Sequence, residues 1–210
     1  MAEYNVLSNF GVRYFLMDLQ EGAAAAASAV SGSILVTADN KLITAAQSLL
    51  DTKEITDVLS CNPGTIDKDM KKFRTLNGDG WESAVALGQS ISEGSMDLIR
   101  TGQGNAYTGL SGATATYNRL RDWVLQSAAQ GGAQAGKALV EVVPRGYSGA
   151  TPVYEATVYR VVPTSFNPGE KNTSDGQEYG ISFQTFGGPI AATPTASAVA
   201  GTAFTIVNPS

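Results

Sequence analysis

Short segments of β-type patterning recur through this chain, and only one segment sustains helical spacing over several turns. In residues 179–186, Tyr179, Ile181 and Phe183 alternate with Gly180, Ser182 and Gln184, which predicts a strand with one buried and one polar face. Residues 13–19 set Tyr14 and Leu16 against Phe15, Met17 and Leu19, so both faces of that strand are expected to be covered. Residues 33–37, 84–91, 95–100, 138–143, 153–162 and 204–207 read as further strands, and antiparallel pairing fits their short connections. Tyr117, Leu120, Val124 and Ala128 repeat at steps of three and four, predicting one amphipathic helix over 114–129. Thr114 or Thr116 caps its start, Gly131-Gly132 stops it, and Trp123 falls at the margin of its apolar stripe. The expected fold is mainly β with one α-helix: an antiparallel β-sandwich or half-open barrel with the helix on its flank.

The whole of 1–210 reads as a single domain with two special segments. Residues 38–69 break into polar and apolar patches, with a short helix expected at 43–50 and a turn at Asn62-Pro63-Gly64. A stretch of that length without regular structure is expected to be an extended interaction loop. The small-residue segment 187–210 is expected to be a C-terminal tail with an edge strand. Asn77-Gly78-Asp79-Gly80 supplies the left-handed positions of a hairpin turn.

Composition removes most chemistry. The chain has no histidine, which excludes imidazole-based triads and most zinc or iron sites. Its single cysteine, Cys61, forms no internal disulfide and reads as a bland buried thiol. Charged residues make up only 16% of the chain, against about 25% in an average soluble domain, while glycine alone contributes 23 residues. Large uncharged faces suit subunit contacts, so self-association is expected. The net charge of −5 argues against gripping nucleic acid, because phosphate neutralisation needs a basic surface. No apolar run is long enough for a membrane span and the first ten residues lack a leader pattern, so synthesis in the cytoplasm without membrane attachment is expected.

The remaining motifs carry little. Gly131 to Lys137 has phosphate-loop spacing, but Ala138 stands where a Ser or Thr should hold magnesium, and the segment follows a helix instead of opening one. Gly102-Gln103-Gly104 is half of a dinucleotide fingerprint and reads as a turn. Asp67 with Asp69, and Asp175 with Glu178, are the nearest carboxylate pairs; Lys68, Lys71 and Lys72 make the first a solvated mixed-charge segment, and Asp175-Gly176 is hairpin chemistry. Asn172-Thr173-Ser174 matches a glycosylation acceptor without a secretory signal. Tyr107, Tyr117, Trp123, Tyr147, Tyr154 and Tyr159 are scattered without interleaved basic residues, so core and interface duty is expected over stacking on sugars or bases. No catalytic, cofactor-binding or metal-binding residue is expected, and the chain is not expected to be an enzyme.

Phe73 to Glu82, followed by Val85-Ala86-Leu87-Gly88-Gln89-Ser90, resembles the strand-turn-strand of bacteriophage major tail tube proteins. Residues 153–158 through Pro163-Thr164-Ser165, and then 174–183 with its Asp-Gly turn, resemble that family's closing strands. The resemblance covers roughly residues 70 to 190 and rests on turn chemistry and patterning. It implies hexameric rings stacked into a hollow tube, the inner sheets of the subunits joined into one multi-subunit barrel. Four strands per subunit would give a wall about 150 Å around, wide enough for duplex DNA. The implied role is a virion structural protein of the phage tail, assembled in the host cytoplasm, that passes DNA at ejection without binding it specifically. Implied partners are further copies of the chain and tail proteins such as tape measure, terminator and tail-tip proteins. The length and mixed polarity of segment 38–69 make it the expected element that reaches between rings, with the N-terminal residues and the tail after Gly187 as helpers. The alternative is a ligand- or receptor-binding β-sandwich module of a tail tip or adhesin.

Overall fold

The computed structural model describes residues 11–21, 32–37, 39, 41–42, 46–73, 83–100, 113–129, 136–148, 151–169 and 177–209. They form thirteen strands and one α-helix: β1 (Arg13–Glu21), β2 (Ser33–Val36), β3 (Gln47–Leu50), β4 (Glu54–Ile55), β5 (Val58–Asn62), β6 (Ile66–Phe73), β7 (Ser83–Ile91), β8 (Glu93–Arg100), α1 (Ala113–Ala129), β9 (Lys137–Ser148), β10 (Thr151–Asn167), β11 (Gln177–Thr185), β12 (Ile190–Ala196) and β13 (Thr202–Val207). A short 3-10 turn, Asp51–Lys53, joins β3 to β4. The mainly-β, one-helix expectation is met.

Three strands, β1, β9 and β10, form the shared wall of the molecule, because each carries apolar side chains on both faces. Phe15, Met17, Ala138, Val140, Val142, Ala156 and Val158 point to one side. There β2, β3, β12 and β13 cover them with Ile34, Val36, Leu49, Ile190, Phe204 and Ile206. Leu16, Leu139 and Val161 point to the other side, into a second core formed with Ile55, Met96, Leu98, Tyr179, Ile181 and Phe183. The helix seals this second core with Leu120 and Trp123, 1% and 6% exposed. Truncating Trp123 to alanine would cost about 3–5 kcal/mol of such packing. Trp123 therefore sits inside the apolar stripe and not at its margin, among Leu16, Ile55, Met96, Leu139 and Val161.

The branch point is β10. Its one edge pairs with β9 throughout 151–161, while its other edge pairs first with β12 at Ala156–Val158 and then with β11 from Val161 onward. Pro163 cannot donate to a ladder, and it lies beside the bulge where the β10–β11 register shifts. From there β11, β8 and β5 curl round until β4, two residues upstream of β5, reaches the far edge of β1 through Tyr14↔Ile55 and Phe15↔Glu54. Neither half closes by a continuous ladder, so the molecule is a pair of half-open barrels sharing one wall.

Four expectations are corrected. Residues 46–69 are built into regular structure, because their polar residues lie on the exposed sides of strands whose partners come from distant sequence. The expected helix at 43–50 gives way at 47–50 to strand β3, with Gln47 and Leu49 buried; residues 43–45 lie outside the described residues. In the 187–210 segment, β13 is held between β12 and β3 with Phe204 and Ile206 buried, so it is not an edge strand. Finally, β1 and β2 pair parallel, Asp18↔Ser33 through Glu21↔Val36, an exception to the antiparallel expectation.

Candidate functional site

The β5–β8 ladder does not stop at the body. Asn62↔Ser95 ends it, and Ile66↔Ile91 resumes it in the same register as a separate two-stranded ribbon, β6–β7, running to Phe73↔Ser83. At about 3.3 Å per residue, the eight residues of β6 reach about 26 Å. Residues 66–71 and 88–90 are exposed, and among the described residues no other strand flanks the ribbon. Two strands alone are marginal in water, so a ribbon of this length calls for a partner. The hairpin turn at 77–80 lies outside the described residues.

Period two gives the ribbon two different faces. Ile66, Lys68 and Met70 share one with Ile91 and Gln89, and Ile66 and Met70 are 50% and 45% exposed. Asp67 and Asp69 share the other with Ser90 and Gly88, around a shallow open notch. Two carboxylates fall short of the six or more oxygens a calcium ion takes. Among the described residues no three potential metal ligands converge.

The ribbon leaves the body through a braced knuckle. Gly64 has φ of +103°, and a Cβ there would lie 2.4 Å from the Ser92 carbonyl oxygen. The Gly64 amide donates to Asn62 Oδ1, the Thr65 amide to Ser92 Oγ, and the Ser92 amide to the Thr65 carbonyl. The Thr185 hydroxyl donates to the Pro63 carbonyl, tying the knuckle to β11. The expected turn at Asn62-Pro63-Gly64 does not reverse the chain: β5 runs on into β6 in the same register, and the segment forms the root of the ribbon.

Beside that root lies a sheet face with one sign of charge. Ser60 and Asn62 of β5, Glu93, Ser95 and Asp97 of β8, and Glu178, Gly180, Ser182 and Gln184 of β11 point away from the second core. Ser60 donates to Asp97 Oδ2 at 2.8 Å, and Thr164 donates to Glu93. Among the described side chains of these three strands there is no lysine or arginine. Its three carboxylates give the face a negative potential that repels phosphate.

Cys61 lies behind this face in a polar cluster that sequence reasoning missed, since its members are far apart in the chain. Tyr14 and Tyr159 donate to opposite oxygens of Glu141, at 3.1 and 3.4 Å, and the Cys61 thiol lies against Tyr14. Burial, then the Glu141 charge, pushes the thiol up to about 12. The same two causes push Tyr159 up to about 12, and burial, then Cys61, then Glu141, push Tyr14 upward as well. Such a thiol is held protonated and is a poor nucleophile.

The other sequence candidates disperse. Lys137 of the loop with phosphate-type spacing opens β9 and, with Lys53, bonds Asp18; residues 131–135 lie outside the described residues. So do Gly102-Gln103-Gly104, Tyr107, Asn172-Thr173-Ser174 and Asp175, while Glu178 is exposed. Tyr117 packs edge-on against Phe166 and Tyr179, and Tyr154 against Phe204. Tyr147, near the tip of the β9–β10 hairpin, is the exposed one of the described aromatics singled out from sequence, at 73%. No helix among the described residues is long and apolar enough to cross a membrane.

No protein family and no curated protein matches this chain. Among solved structures it is similar to a chain of the six-fold symmetrised cryo-EM structure of the anti-feeding prophage (AFP) baseplate. The two share 9% identity at a TM-score of 0.40, over 68% of this chain and 87% of that one. The functional reading therefore rests on the chain's own geometry.

Proposed function

We propose that this chain is a structural subunit of a phage-type tail tube, in which copies join through the β6–β7 ribbon and turn the acidic β5–β8–β11 face toward the bore. The observation that carries this reading is the ribbon itself: two strands, about 26 Å long, flanked by no other strand among the described residues and continuing the register of a sheet. A ribbon with no described strand on either outer edge pairs with a like ribbon at each side, and repetition of that contact closes a ring when the rotation closes. A negative bore carries a polyanion past without holding it. On this reading the chain is a virion tail component and no enzyme, its partners being further copies and other tail proteins.

Negative-stain electron microscopy of the purified protein tests this directly. Rings or tubes are expected as concentration rises; solitary particles at high concentration overturn the reading. Reversing the bore charge with Asp97→Lys and Glu178→Lys should leave assembly intact while making tubes retain added duplex DNA. If such tubes bind no more DNA than the parent, the acidic face does not line the bore.

A further inference from the structure

A second pair of strands also runs out beyond its neighbours. Toward the β9–β10 tip, the β1–β9 ladder ends at Arg13↔Val142 and the β10–β12 ladder at Ala156↔Ala192. Residues 143–148 and 151–155 are therefore flanked by no other strand among the described residues, which leaves about 20 Å of two-stranded ribbon. Its sequence invites a further strand. Thr151, Val153, Tyr154, Thr157 and Val158 are strong strand formers, and Tyr147 and Val153 are 73% and 41% exposed.

Each strand of this tip nevertheless carries a proline: Pro144 in β9 lies opposite Tyr154, and Pro152 in β10 lies opposite Tyr147. A strand tolerates proline where the missing N–H would point away from its partner, so both outer edges lack a donor. A register shift at Val153/Tyr154 leaves Arg145 without an opposite residue, and the exposed Arg145 Nε donates to Glu155 Oε2 at 2.6 Å. Proline, bulge and charge are the devices with which a sheet edge refuses another strand. The β6–β7 ribbon shares a register shift, at Asp69/Met70, and β6 is charged, but neither of its strands holds a proline and β7 holds no charge.

We infer that Pro144 and Pro152 are gatekeepers: they bar the β9–β10 tip from strand addition to a second copy and leave the β6–β7 ribbon as the edge through which copies pair. The ribbon's part in this rests on the assembly role proposed for it, whereas the barring of the tip does not. Two pairing ribbons per copy would allow contacts that do not close, and open chains of copies would follow.

The full-length double variant Pro144→Val, Pro152→Thr restores both donors. At concentrations where the parent is unassembled, sedimentation velocity should show the variant associating. Hydrogen exchange of its amides over 143–155 should slow at least about tenfold as concentration rises, while the parent's rates stay constant over the same range. A variant that stays solitary, or that associates without protecting 143–155, overturns the inference. A parent that never assembles at any concentration sinks the ribbon reading alone, because the tip is judged on the variant. Should the double variant fail to fold, Pro152→Thr by itself must show the same protection at lower amplitude, and its absence overturns the inference.

Discussion

The side chain of Gln47 takes the place of a strand beside Leu35: its Oε1 accepts from the Leu35 amide at 2.6 Å and its Nε2 donates to the Leu35 carbonyl at 3.1 Å. Gln47 is 1% exposed and Leu35 3%, so neither backbone group has water to fall back on. The carboxamide bridges β2 to β3 and thereby closes the first half-barrel where no ladder does. Gln47→Ala leaves a buried donor and a buried acceptor unpaired, at about 1–3 kcal/mol each. Urea unfolding should show a loss of about 3 kcal/mol; a loss under about 0.5 kcal/mol would mean that the bridge contributes only what a surface contact does.

At the ribbon root, Gly64→Ala meets both the left-handed φ and the Ser92 carbonyl. Backbone strain alone costs about 1–3 kcal/mol, and the clash must be relieved by moving the knuckle. The variant is expected to keep its two cores, with near-parent circular dichroism, and to lose assembly in sedimentation velocity. Normal assembly with a rearranged knuckle would show that ribbon geometry does not govern association.

Lys68 and Lys71 stand exposed on the ribbon, and they are cleavage points for trypsin when the ribbon is unpacked. Limited digestion of unassembled protein should cut there first, ahead of Lys137, which is held by Asp18. Assembled material should resist at Lys68 and Lys71. Equal cutting rates in the two states would remove the ribbon from the interface.

The Tyr14–Cys61–Glu141–Tyr159 cluster fixes the alkaline limit of stability. Cys61 rises from an ordinary 9.0, and Tyr159 from 10.0, to about 12 in the folded chain, and Tyr14 shifts in the same direction. With folded values above unfolded ones, the contribution is complete below about pH 9 and declines as pH climbs toward 12, because the unfolded chain gives up these protons first. Thermal unfolding should therefore fall steeply between pH 9 and 12. The triple variant Tyr14→Phe, Cys61→Ser, Tyr159→Phe should flatten that fall; an unchanged slope would assign it to other groups. Folded protein should also react slowly with a thiol reagent at pH 8.

The helix was legible because its apolar steps of three and four need no partner to be recognised, and the strands of the shared wall were legible because Phe15, Leu16, Met17 and the 138–143 run are apolar on both sides. The strands that escaped are those whose environment is polar or absent. In β6, Ile66–Phe73, six of the eight residues are Asp, Lys or Met, and β5 shows water most of its side chains. Nothing local distinguishes such strands from a loop, since their ladders are supplied by β7 and β8, whose partner residues lie 10 to 40 positions away. In β12 the alternation runs through alanine, threonine and Pro194, whose small side chains leave little contrast between faces.

The candidate site divides in the same way. The absence of histidine, the low charge and the excess of acid over base were fixed by composition; the first excludes imidazole chemistry whatever the fold, and the others argue against a phosphate grip. Which carboxylates would share a face was decided only when β5, β8 and β11 came side by side. Glu93, Asp97 and Glu178 are separated by up to 85 residues in sequence and meet through strand register. Periodicity is a property of one strand and survives in the sequence; adjacency is a property of pairs of strands, written by backbone hydrogen bonds that carry no side-chain signature.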